Sequence, residues 1–431
     1  MSIFKSSIFN FFEYYCAMKW ILGACIFLVS YPLTAQQIGW EKVIGSEVAS
    51  YIPNDLVINP DGTMILVGRY ETGTGFFRTV DGVTKYADST LPFGTHPFVQ
   101  KLDKDGNLLK QVFLPGIEAQ HVVQMDDNRW AVCGFMNGYR EKNYEGDRAQ
   151  GIFLVFLDSN LNRLSYTHYP SYYNSTPLGM IADQQGGLII AADSYTKSDH
   201  ELGFNDIYSL RLVHTDPKGK LITDTTFQKT DWFRKNKFRN DVFNPTSIAT
   251  DSKYIWLSGT AKGTDSMYTE RTLPAIAALD FDYRPGTTAV FTGPRKKAQS
   301  YEVWLSDLVA SEKYVFVSGE DMLQQPNTFV SLFDSNGKQI YQLPCKGNIG
   351  ESPFVTQLDE TNWAVLTKSR EFGFVVSFFN TKGFVKELIF SQENSRDAKV
   401  LVCAGNELYC VGKISENDLK KTWISKVRIR P

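Results

Sequence analysis

Histidine and cysteine are scarce in this chain. Its five histidines and six cysteines among 431 residues show no spacing typical of a zinc site, so the sequence predicts no metal and no cofactor. Four cysteines follow residue 35, which is too few for a disulfide-rich scaffold: Cys133, Cys345, Cys403 and Cys410. Cys403 and Cys410 fall on neighbouring predicted strands. The alternatives there are a bridge and two buried free thiols, and free thiols are the more usual state on β-strands.

An excess of charge of one sign is also missing. The 45 Lys and Arg residues nearly balance the 47 Asp and Glu residues, leaving a formal net charge of −2. This balance predicts neither nucleic acid nor an acidic membrane surface as a partner. The chain also lacks the Gly-x-Ser-x-Gly, His-Glu-x-x-His, phosphate-loop and dinucleotide motifs of common enzymes. Together these absences favour a protein that is not an enzyme, while leaving open an enzyme built from carboxylates alone.

The apolar stretch at residues 20–29 is too short to predict a membrane span. Lys19 precedes it and the small residues around Ala35 follow it, which is the pattern of a secretory signal peptide. We therefore expect residues 1–35 to be a signal peptide, with Met18 as an alternative start. A lipid anchor on Cys25 is the less favoured alternative, because the apolar run continues past that cysteine. The mature protein is expected to be periplasmic, outer-membrane-associated or extracellular, without a transmembrane segment.

The chain does contain a short phrase repeated seven times, an apolar run that in most cases ends in glycine. The runs are residues 64–68, 130–134, 188–192, 255–259, 315–319, 363–367 and 408–412. Each follows a turn signal and precedes a second β-prone run, and the second runs are residues 98–103, 153–158, 209–216, 275–280, 329–334, 374–380 and 423–429. A repeat of this size and β character predicts an all-β fold, a β-propeller with seven four-stranded blades.

The two ends of the chain support ring closure. The last repeat contains only three strands, and residues 40–44 resemble the missing fourth strand. Pairing this N-terminal strand into the last blade would remove the exposed sheet edges. The sequence thus predicts one closed propeller over residues 36–431. Acids in repeated Asp-x-x-Gly segments, such as Asp103 before Gly106, are predicted to be structural turn residues.

Long connections fall on one face of this propeller. Connections between strands two and three, and between successive blades, share a face, while the remaining turns occupy the other. The long ones are residues 69–97, 135–152, 193–208, 227–244, 260–274 and 292–301. Since long ordered loops in a compact domain usually carry function, we expect the working surface on this face over blades 1 to 4.

These connections interleave aromatic with basic residues, which are favoured at protein interfaces and sugar-stacking platforms. The candidate binding residues are Tyr70, Phe76, Phe77, Arg78, Tyr139, Arg140, Tyr172, Tyr173, Trp232, Phe233, Arg234 and Lys235. They favour a non-enzymatic propeller that engages a protein or glycan of the cell envelope. For each single residue, anchoring of the loop onto its blade is an equally good interpretation. A purely structural part of an envelope assembly is a further alternative.

Acids near the starts of the innermost strands keep an enzyme hypothesis open. They are Asp55, Glu118, Asp241, Glu302, Glu351 and Asp397. The starts of these strands point towards the central opening, where two carboxylates about 5–10 Å apart could hydrolyse a glycosidic bond. The alternative function is therefore a carbohydrate-active hydrolase or lyase.

The best repeat reads Asp61-Gly62, an apolar run to Gly68, and then Leu102-Asp103 with Gly106-Asn107. In this pattern the chain resembles secreted bacterial β-propeller repeat proteins, including those frequent in Bacteroidota. The resemblance covers nearly all of residues 40–430 and implies a propeller fold and export, without implying a ligand. The chain lacks the Ser-x-Asp-x-Gly-x-x-Trp boxes of sialidases, so a sialidase is disfavoured.

Overall fold

The structure, a computed structural model, is a seven-bladed β-propeller whose blades are four-stranded antiparallel sheets. This confirms the fold predicted from the repeats. The structure describes residues 38–46, 49–72, 77–80, 83–86, 94–125, 128–136, 151–171, 175–196, 207–227, 232–233, 239–264, 270–290, 303–321, 328–346, 352–369, 373–391, 396–416 and 419–429. Within these ranges no helix is long and apolar enough to cross a membrane.

In blades 1 to 6 the chain runs from the innermost to the outermost strand. The first described strand, β1 (Ile38–Ile44), lies outside this series. Blade 1 and its inserted hairpin contain β2 (Ala49–Ile58), β3 (Met64–Thr72), β4 (Phe77–Val80), β5 (Val83–Tyr86), β6 (Thr95–Leu102) and β7 (Leu108–Phe113). Blade 2 contains β8 (Glu118–Gln124), β9 (Trp130–Met136), β10 (Gly151–Leu157) and β11 (Arg163–Pro170). Blade 3 contains β12 (Ser175–Ala182), β13 (Leu188–Thr196), β14 (Ile207–Thr215) and β15 (Leu221–Phe227).

The second half of the ring repeats this plan. Blade 4 contains β16 (Arg239–Thr250), β17 (Ile255–Thr264), β18 (Glu270–Leu279) and β19 (Pro285–Val290). Blade 5 contains β20 (Val303–Ala310), β21 (Tyr314–Asp321), β22 (Thr328–Asp334) and β23 (Gln339–Cys345). Blade 6 contains β24 (Phe354–Asp359), β25 (Asn362–Ser369), β26 (Gly373–Asn380) and β27 (Gly383–Ser391). Blade 7 contains β28 (Arg396–Ala404), β29 (Glu407–Glu416) and β30 (Leu419–Arg428).

The N-terminal strand closes the ring. Strand β1 pairs antiparallel with β30 as the outermost strand of blade 7, as the sequence predicts. Arg396 at the start of β28 reaches this strand, because its Nη1 atom lies 2.6 Å from Glu41 Oε2. The Arg396 guanidinium also lies over the Trp423 ring of β30, at 4.9 Å from the ring centroid. The closure therefore joins both ends of the chain through a hydrogen-bonded ladder, an ion pair and a cation–π contact.

Buried aromatic residues fill the interfaces between blades. Phe316 of blade 5 stacks on Trp363 of blade 6 with the ring centroids 5.1 Å apart. Phe374 of blade 6 stacks in the same way on Trp423 of blade 7, at 5.6 Å. Each core cluster joins the facing sides of neighbouring blades, since both faces of every sheet are covered.

The repeated glycines have a specific structural cause. Six of the innermost strands carry a β-bulge at the same place, as between Pro53 and Asp55 in β2. At five of these bulges a glycine of the second strand faces the inner strand: Gly68, Gly134, Gly259, Gly319 and Gly412. A Cβ atom at any of the five would lie between 2.0 and 2.3 Å from a carbonyl oxygen of that strand. The glycine thus permits the close approach that the bulge requires.

The two faces of the ring differ sharply. One face, called here the short-turn face, carries the turns between strands one and two and between strands three and four. Its turns repeat one pattern: in the turn at Asp103, Oδ1 accepts hydrogen bonds from the N–H groups of Asp105 and Asn107 at 2.9 and 2.8 Å. The hydrogen bond from the Asn107 side-chain amide to Asp103 Oδ2, together with these backbone bonds, lowers the pKa of the Asp103 carboxyl. The repeated acids are therefore structural turn residues, as predicted.

The opposite face, called here the long-connection face, carries the insertions. Several of them are not loops. Strands β17 and β18 stay paired as far as Thr264 opposite Glu270, and β13 and β14 stay paired as far as Thr196 opposite Ile207. Blade 1 instead carries a separate two-stranded hairpin, β4 with β5. Insertions that the sequence suggested as long loops are thus partly built as extended strand ladders.

The four cysteines in the described part of the chain are free thiols. In the register of blade 7, Cys403 faces Leu408 and Cys410 faces Leu401. The two cysteines are therefore diagonal neighbours, about 7–8 Å apart by the geometry of such pairs and beyond the reach of a disulfide. Of the two alternatives, the structure supports free thiols.

Candidate functional site

Two carboxylates at equivalent positions tie the innermost strands together. Asp55 in blade 1 and Asp307 in blade 5 each directly follow the bulge of their strand. Asp55 Oδ2 accepts a hydrogen bond from the Val122 N–H of blade 2 at 2.9 Å. Asp307 Oδ2 accepts one from the Val355 N–H of blade 6 at 3.0 Å. Each side chain thus satisfies a backbone donor of the next blade.

Asp307 has further partners. Its Oδ1 atom accepts hydrogen bonds from the Ser247 hydroxyl of blade 4 at 3.0 Å and from the Leu308 N–H at 2.8 Å. Burial raises the pKa of Asp307 to about 6, against these hydrogen bonds, and the nearby charge of Asp55 acts in the same direction as burial. Asp307 could not be selected from the sequence, because it lies inside an apolar strand and not at the start of one. The one signal in the sequence is Gly319, because the glycine of the second strand marks the position of the bulge that Asp307 follows.

The predicted acids Glu118 and Asp397 take part in ion pairs. Glu118 accepts hydrogen bonds from Asn54 Nδ2 at 2.7 Å and from Arg69 Nη1 at 3.2 Å. Asp397 lies 2.8 Å from Lys368 Nζ and 3.2 Å from Lys413 Nζ. Burial opposes ionisation of Asp397, but the hydrogen bonds and charges of the two lysines outweigh it and lower the pKa. Both acids are occupied by contacts that join strands or neighbouring blades.

Within the described ranges, the predicted acids Asp55, Glu118 and Asp397 do not form one cluster. Among the described residues no three His, Cys, Asp or Glu side chains come together as a metal-binding group. Glu302 and Glu351 lie outside the described residues, and for Asp241 only the backbone position in β16 is described. Asp55 and Asp307 occupy equivalent positions after the bulges of their strands, a correspondence that sequence reasoning missed.

Three of the predicted binding residues are core residues. Tyr70 is fully buried and packs at 5.1 Å from Tyr51, measured between ring centroids. Phe233 is fully buried against Phe243, and Trp232 is only 8 % exposed. The expectation that these three side chains present themselves to a partner is wrong. Their apolar area is buried in the blades that they anchor, which is the alternative interpretation offered by the sequence.

The other predicted binding residues are not placed by the structure. Phe77 and Arg78 belong to β4, for which only the backbone is described. The remaining candidates fall outside the described residues: Phe76, Tyr139, Arg140, Tyr172, Tyr173, Arg234 and Lys235. These seven stay predictions.

An exposed tryptophan that the sequence analysis did not select lies on the long-connection face. Trp304 is the second residue of β20 and is 44 % exposed. Its backbone carbonyl oxygen faces Gly319, where a Cβ atom would lie 2.3 Å away. The position of Trp304 is therefore fixed by the bulge geometry while its indole contacts solvent. Large exposed aromatic residues on a rigid strand are typical of interface hot spots.

No family model and no curated protein matches this chain. Similar solved structures include a protein of unknown function from Dyadobacter fermentans, with a TM-score of 0.49 and 12% sequence identity, covering 92% of this chain and 100% of that chain. Drosophila plexin A, solved in complex with semaphorin 1b, has a TM-score of 0.47 and 8% identity, covering 91% and 87% of the two chains. Drosophila semaphorin 1a has a TM-score of 0.47 and 9% identity, covering 92% and 88%. At these identities the similarity concerns the fold, which many unrelated functions share.

Proposed function

We propose that this chain is an exported, non-enzymatic binding propeller that engages a protein or a glycan of the cell envelope. The contact surface is the long-connection face over blades 1 to 4, extended to Trp304 of blade 5. The observation that carries the proposal is the one-sided extension of the strand ladders. On the long-connection face, the β17–β18 ladder continues five residues beyond Gly259, which lies opposite the bulge, and ends at Thr264. On the short-turn face, the strands are joined by tight turns.

Paired strands make a better contact surface than free loops. Backbone groups in a ladder are already hydrogen-bonded, so less conformational entropy is lost when the tip of the ladder binds a partner. Trp304 adds a large apolar side chain with an N–H donor, a combination that dominates the energetics of many interfaces. The arrangement thus supplies a rigid projection and an aromatic anchor on the same face.

Two variants test this proposal. In the first, residues 262–272 are replaced by a two-residue turn, which shortens the β17–β18 ladder to the pair Ala261 and Leu273. In the second, Trp304→Ala removes the exposed indole, with an expected loss of about tenfold or more in affinity. Leu109→Ser is the matched control, because Leu109 is also exposed (56%, against 44% for Trp304) and belongs to the outermost strand of blade 1, away from this face.

The readout is affinity capture from envelope extracts of the native bacterium with purified protein lacking residues 1–35. We expect partners of the unmodified chain to be captured by Leu109→Ser and to be lost or strongly reduced with the other two variants. Equal capture by all forms would contradict the proposed surface. Capture of a fixed multiprotein assembly that none of the three changes disturbs would favour a structural part of an envelope assembly instead.

A carbohydrate-active hydrolase or lyase is the second candidate. The observation in its favour is the Asp307 carboxyl, whose pKa is raised to about 6 by burial and further by the charge of Asp55. Incubation of the purified protein with a panel of polysaccharides tests it. Turnover that disappears in Asp307→Asn would support an enzyme, and absence of turnover across the panel would remove this candidate.

A further inference from the structure

Blades 3 and 4 also enclose a groove at the short-turn face. Its volume is about 660 Å³, and its walls come from the β12–β13 turn, strands β14 and β15, and the β18–β19 turn. Polar side chains including Asp183 and His214 lie beside the half-buried aromatic rings of Phe227, Phe281 and Tyr283. None of the candidate residues from the sequence belongs to this groove.

A histidine–aspartate pair lies in the groove wall. His214 Nε2 donates to Asp183 Oδ2 at 2.7 Å, and the two side chains are only 14% and 6% exposed. Asp183 Oδ1 accepts the N–H groups of Gln185 and Gly187, each at 2.7 Å, which is the usual turn pattern of this protein. The turn at Asp103 differs, because there Oδ2 accepts from the Asn107 amide at 2.8 Å.

Because residue 187 is glycine, no side chain at this turn position donates to Asp183 Oδ2. A Cβ atom at residue 187 would lie 2.6 Å from Asp183 Oδ2, so an Asn or any other side chain at this turn position is excluded. The carboxylate therefore accepts from an imidazole of the neighbouring strand instead of from its own turn. This geometry fixes the orientation of the His214 ring.

Tyr283 lines the groove on the blade 4 side, and its backbone conformation is unfavourable for a residue other than glycine. It has φ +63°, whereas Gly106, Gly219 and Gly337 hold the corresponding left-handed position in blades 1, 3 and 5. The Tyr283 ring meets the edge of His214 with the ring centroids 6.0 Å apart. Its Oη atom is inaccessible to solvent and has no hydrogen-bond partner within the described part of the chain. Left-handed backbone at a non-glycine residue together with an unsatisfied hydroxyl is characteristic of functional positions.

The Tyr283 hydroxyl keeps its proton. Burial raises its pKa, and the charge of Asp183 adds to the effect. The buried hydroxyl therefore stays neutral, and Tyr283 lines the groove with its aromatic ring. Leu161 of blade 2 shows the contrasting case, since it has the same left-handed backbone, φ +59°, but a purely apolar side chain buried in the core.

We propose that this groove is a binding site for a neutral saccharide. Half-buried aromatic rings provide stacking surfaces for sugar rings, and the hydroxyl, amide, imidazole and carboxylate groups provide partners for sugar hydroxyls. No described lining residue is Lys or Arg. The Asp183 carboxylate is hydrogen-bonded to His214, and the exposed Asp282 is paired with Arg284 at 3.4 Å, so the lining carries little charge of either sign. A neutral, hydroxyl-rich ligand fits this chemistry better than a phosphate or a carboxylate. The inference is independent of the proposed contact surface, which lies on the opposite face.

Titration of the protein with neutral hexasaccharides tests the proposal. The probes are the hexamers derived from cellulose, xylan, mannan, β-1,3-glucan and chitin, with the chitosan hexamer as a cationic comparison and a polygalacturonate hexamer as an anionic one. Isothermal calorimetry and saturation-transfer NMR report binding. We expect at least one neutral hexamer to bind, and the polygalacturonate hexamer not to bind.

Tyr283→Gly is the decisive variant, because glycine suits the left-handed backbone and the change removes the aromatic wall together with its packing on the core of blades 3 and 4. We expect binding to weaken at least tenfold in Tyr283→Gly and in Phe281→Ala. Leu161→Gly is the comparison at the equivalent turn of blade 2. Because Leu161 is a core residue, circular dichroism first checks that both glycine variants are folded. The variant with residues 262–272 replaced is the control for the opposite face. Leu161→Gly and this control should both bind as the unmodified chain does. Absence of binding by every neutral hexamer, binding of the chitosan hexamer alone, or equal binding by Tyr283→Gly and Phe281→Ala would overturn the proposal.

Discussion

The Asp307 carboxylate of blade 5 accepts the backbone N–H of Val355 in blade 6 at 3.0 Å. The same contact exists between Asp55 of blade 1 and Val122 of blade 2 at 2.9 Å. Both acids follow a bulge, and the bulge turns a side chain towards the next inner strand. Buried polar contacts of this kind fix how neighbouring blades sit against each other, in addition to the apolar packing between them.

Asp307 should make stability depend on pH in an unusual direction. Its pKa in the folded state is raised from 3.8 to about 6, so the stability linked to this group is complete below 3.8 and is lost as the pH rises through about 6. The free energy of unfolding of the unmodified chain minus that of Asp307→Asn should therefore increase as the pH falls from 7 to 4. The change should be on the order of 1–2 kcal/mol, allowing for the partial contact of the carboxyl with solvent.

Urea unfolding of both proteins at pH 4, 5, 6 and 7 measures this difference. Comparison with Asp307→Asn is needed because turn acids such as Asp103, whose pKa is lowered, destabilise the fold in acid. A difference that is constant with pH, or that shrinks in acid, would show that Asp307 does not titrate as described.

The bulge glycines should be intolerant of even one added carbon. Gly68→Ala places a Cβ atom 2.1 Å from the Ile52 carbonyl oxygen, so the inner strand must shift. We expect a loss of about 3 kcal/mol in the free energy of unfolding. Gly39→Ala is the control, since its Cβ would meet the Lys426 carbonyl oxygen at an ordinary 3.4 Å, and it should change stability by less than about 0.5 kcal/mol. Equal effects of the two substitutions in urea unfolding would refute the explanation of the repeated glycine.

Ring closure should depend on Glu41. Partial burial opposes ionisation of Glu41, but hydrogen bonding to Arg396 outweighs it and lowers the pKa from 4.5. The contribution of Glu41 is therefore present above that ordinary value and is lost as the pH falls through the lowered one. Glu41→Ala leaves the buried Arg396 guanidinium without this carboxylate, and we expect a cost of about 1–3 kcal/mol at pH 7.

Glu360→Ala provides the comparison for this prediction. Glu360 lies 3.4 Å from Lys313 Nζ, and both side chains are well exposed, so the loss should be below about 0.5 kcal/mol. Thermal unfolding of the two variants beside the unmodified chain measures both effects. A Glu41→Ala protein as stable as Glu360→Ala would mean that the ladder between β1 and β30 alone closes the ring.

Much of the fold could be predicted because the repeat is carried by local chemistry. Apolar runs such as 64–68 and turn residues such as Asp103 each specify a strand or a turn with little help from the rest of the chain. The ends of the ladders could not be predicted in this way. Beyond Gly259, strand β17 continues through Ala261 to Thr264. This segment contains Lys262 and other polar residues, so it lacks the apolar pattern of a strand, and its conformation depends on pairing with β18.

The candidate site was harder to predict for the same reason. Trp232 and Phe233 sit in a segment with basic residues, and only the three-dimensional contact with Phe243 shows that both are buried. Asp307 and His214 lie within apolar strands, so no local pattern separates them from core positions. Their partners, Val355 and Asp183, are 48 and 31 residues away in the chain.

Hydrogen–deuterium exchange tests the central claim, that this propeller binds its partner through the long-connection face. The measurement compares the chain alone with the chain bound to the partner that affinity capture isolates. We expect protection at the ends of β16, β17 and β18 on the long-connection face and around Trp304, with the short turns unchanged. Protection confined to the short-turn face or to the outermost strands would contradict it.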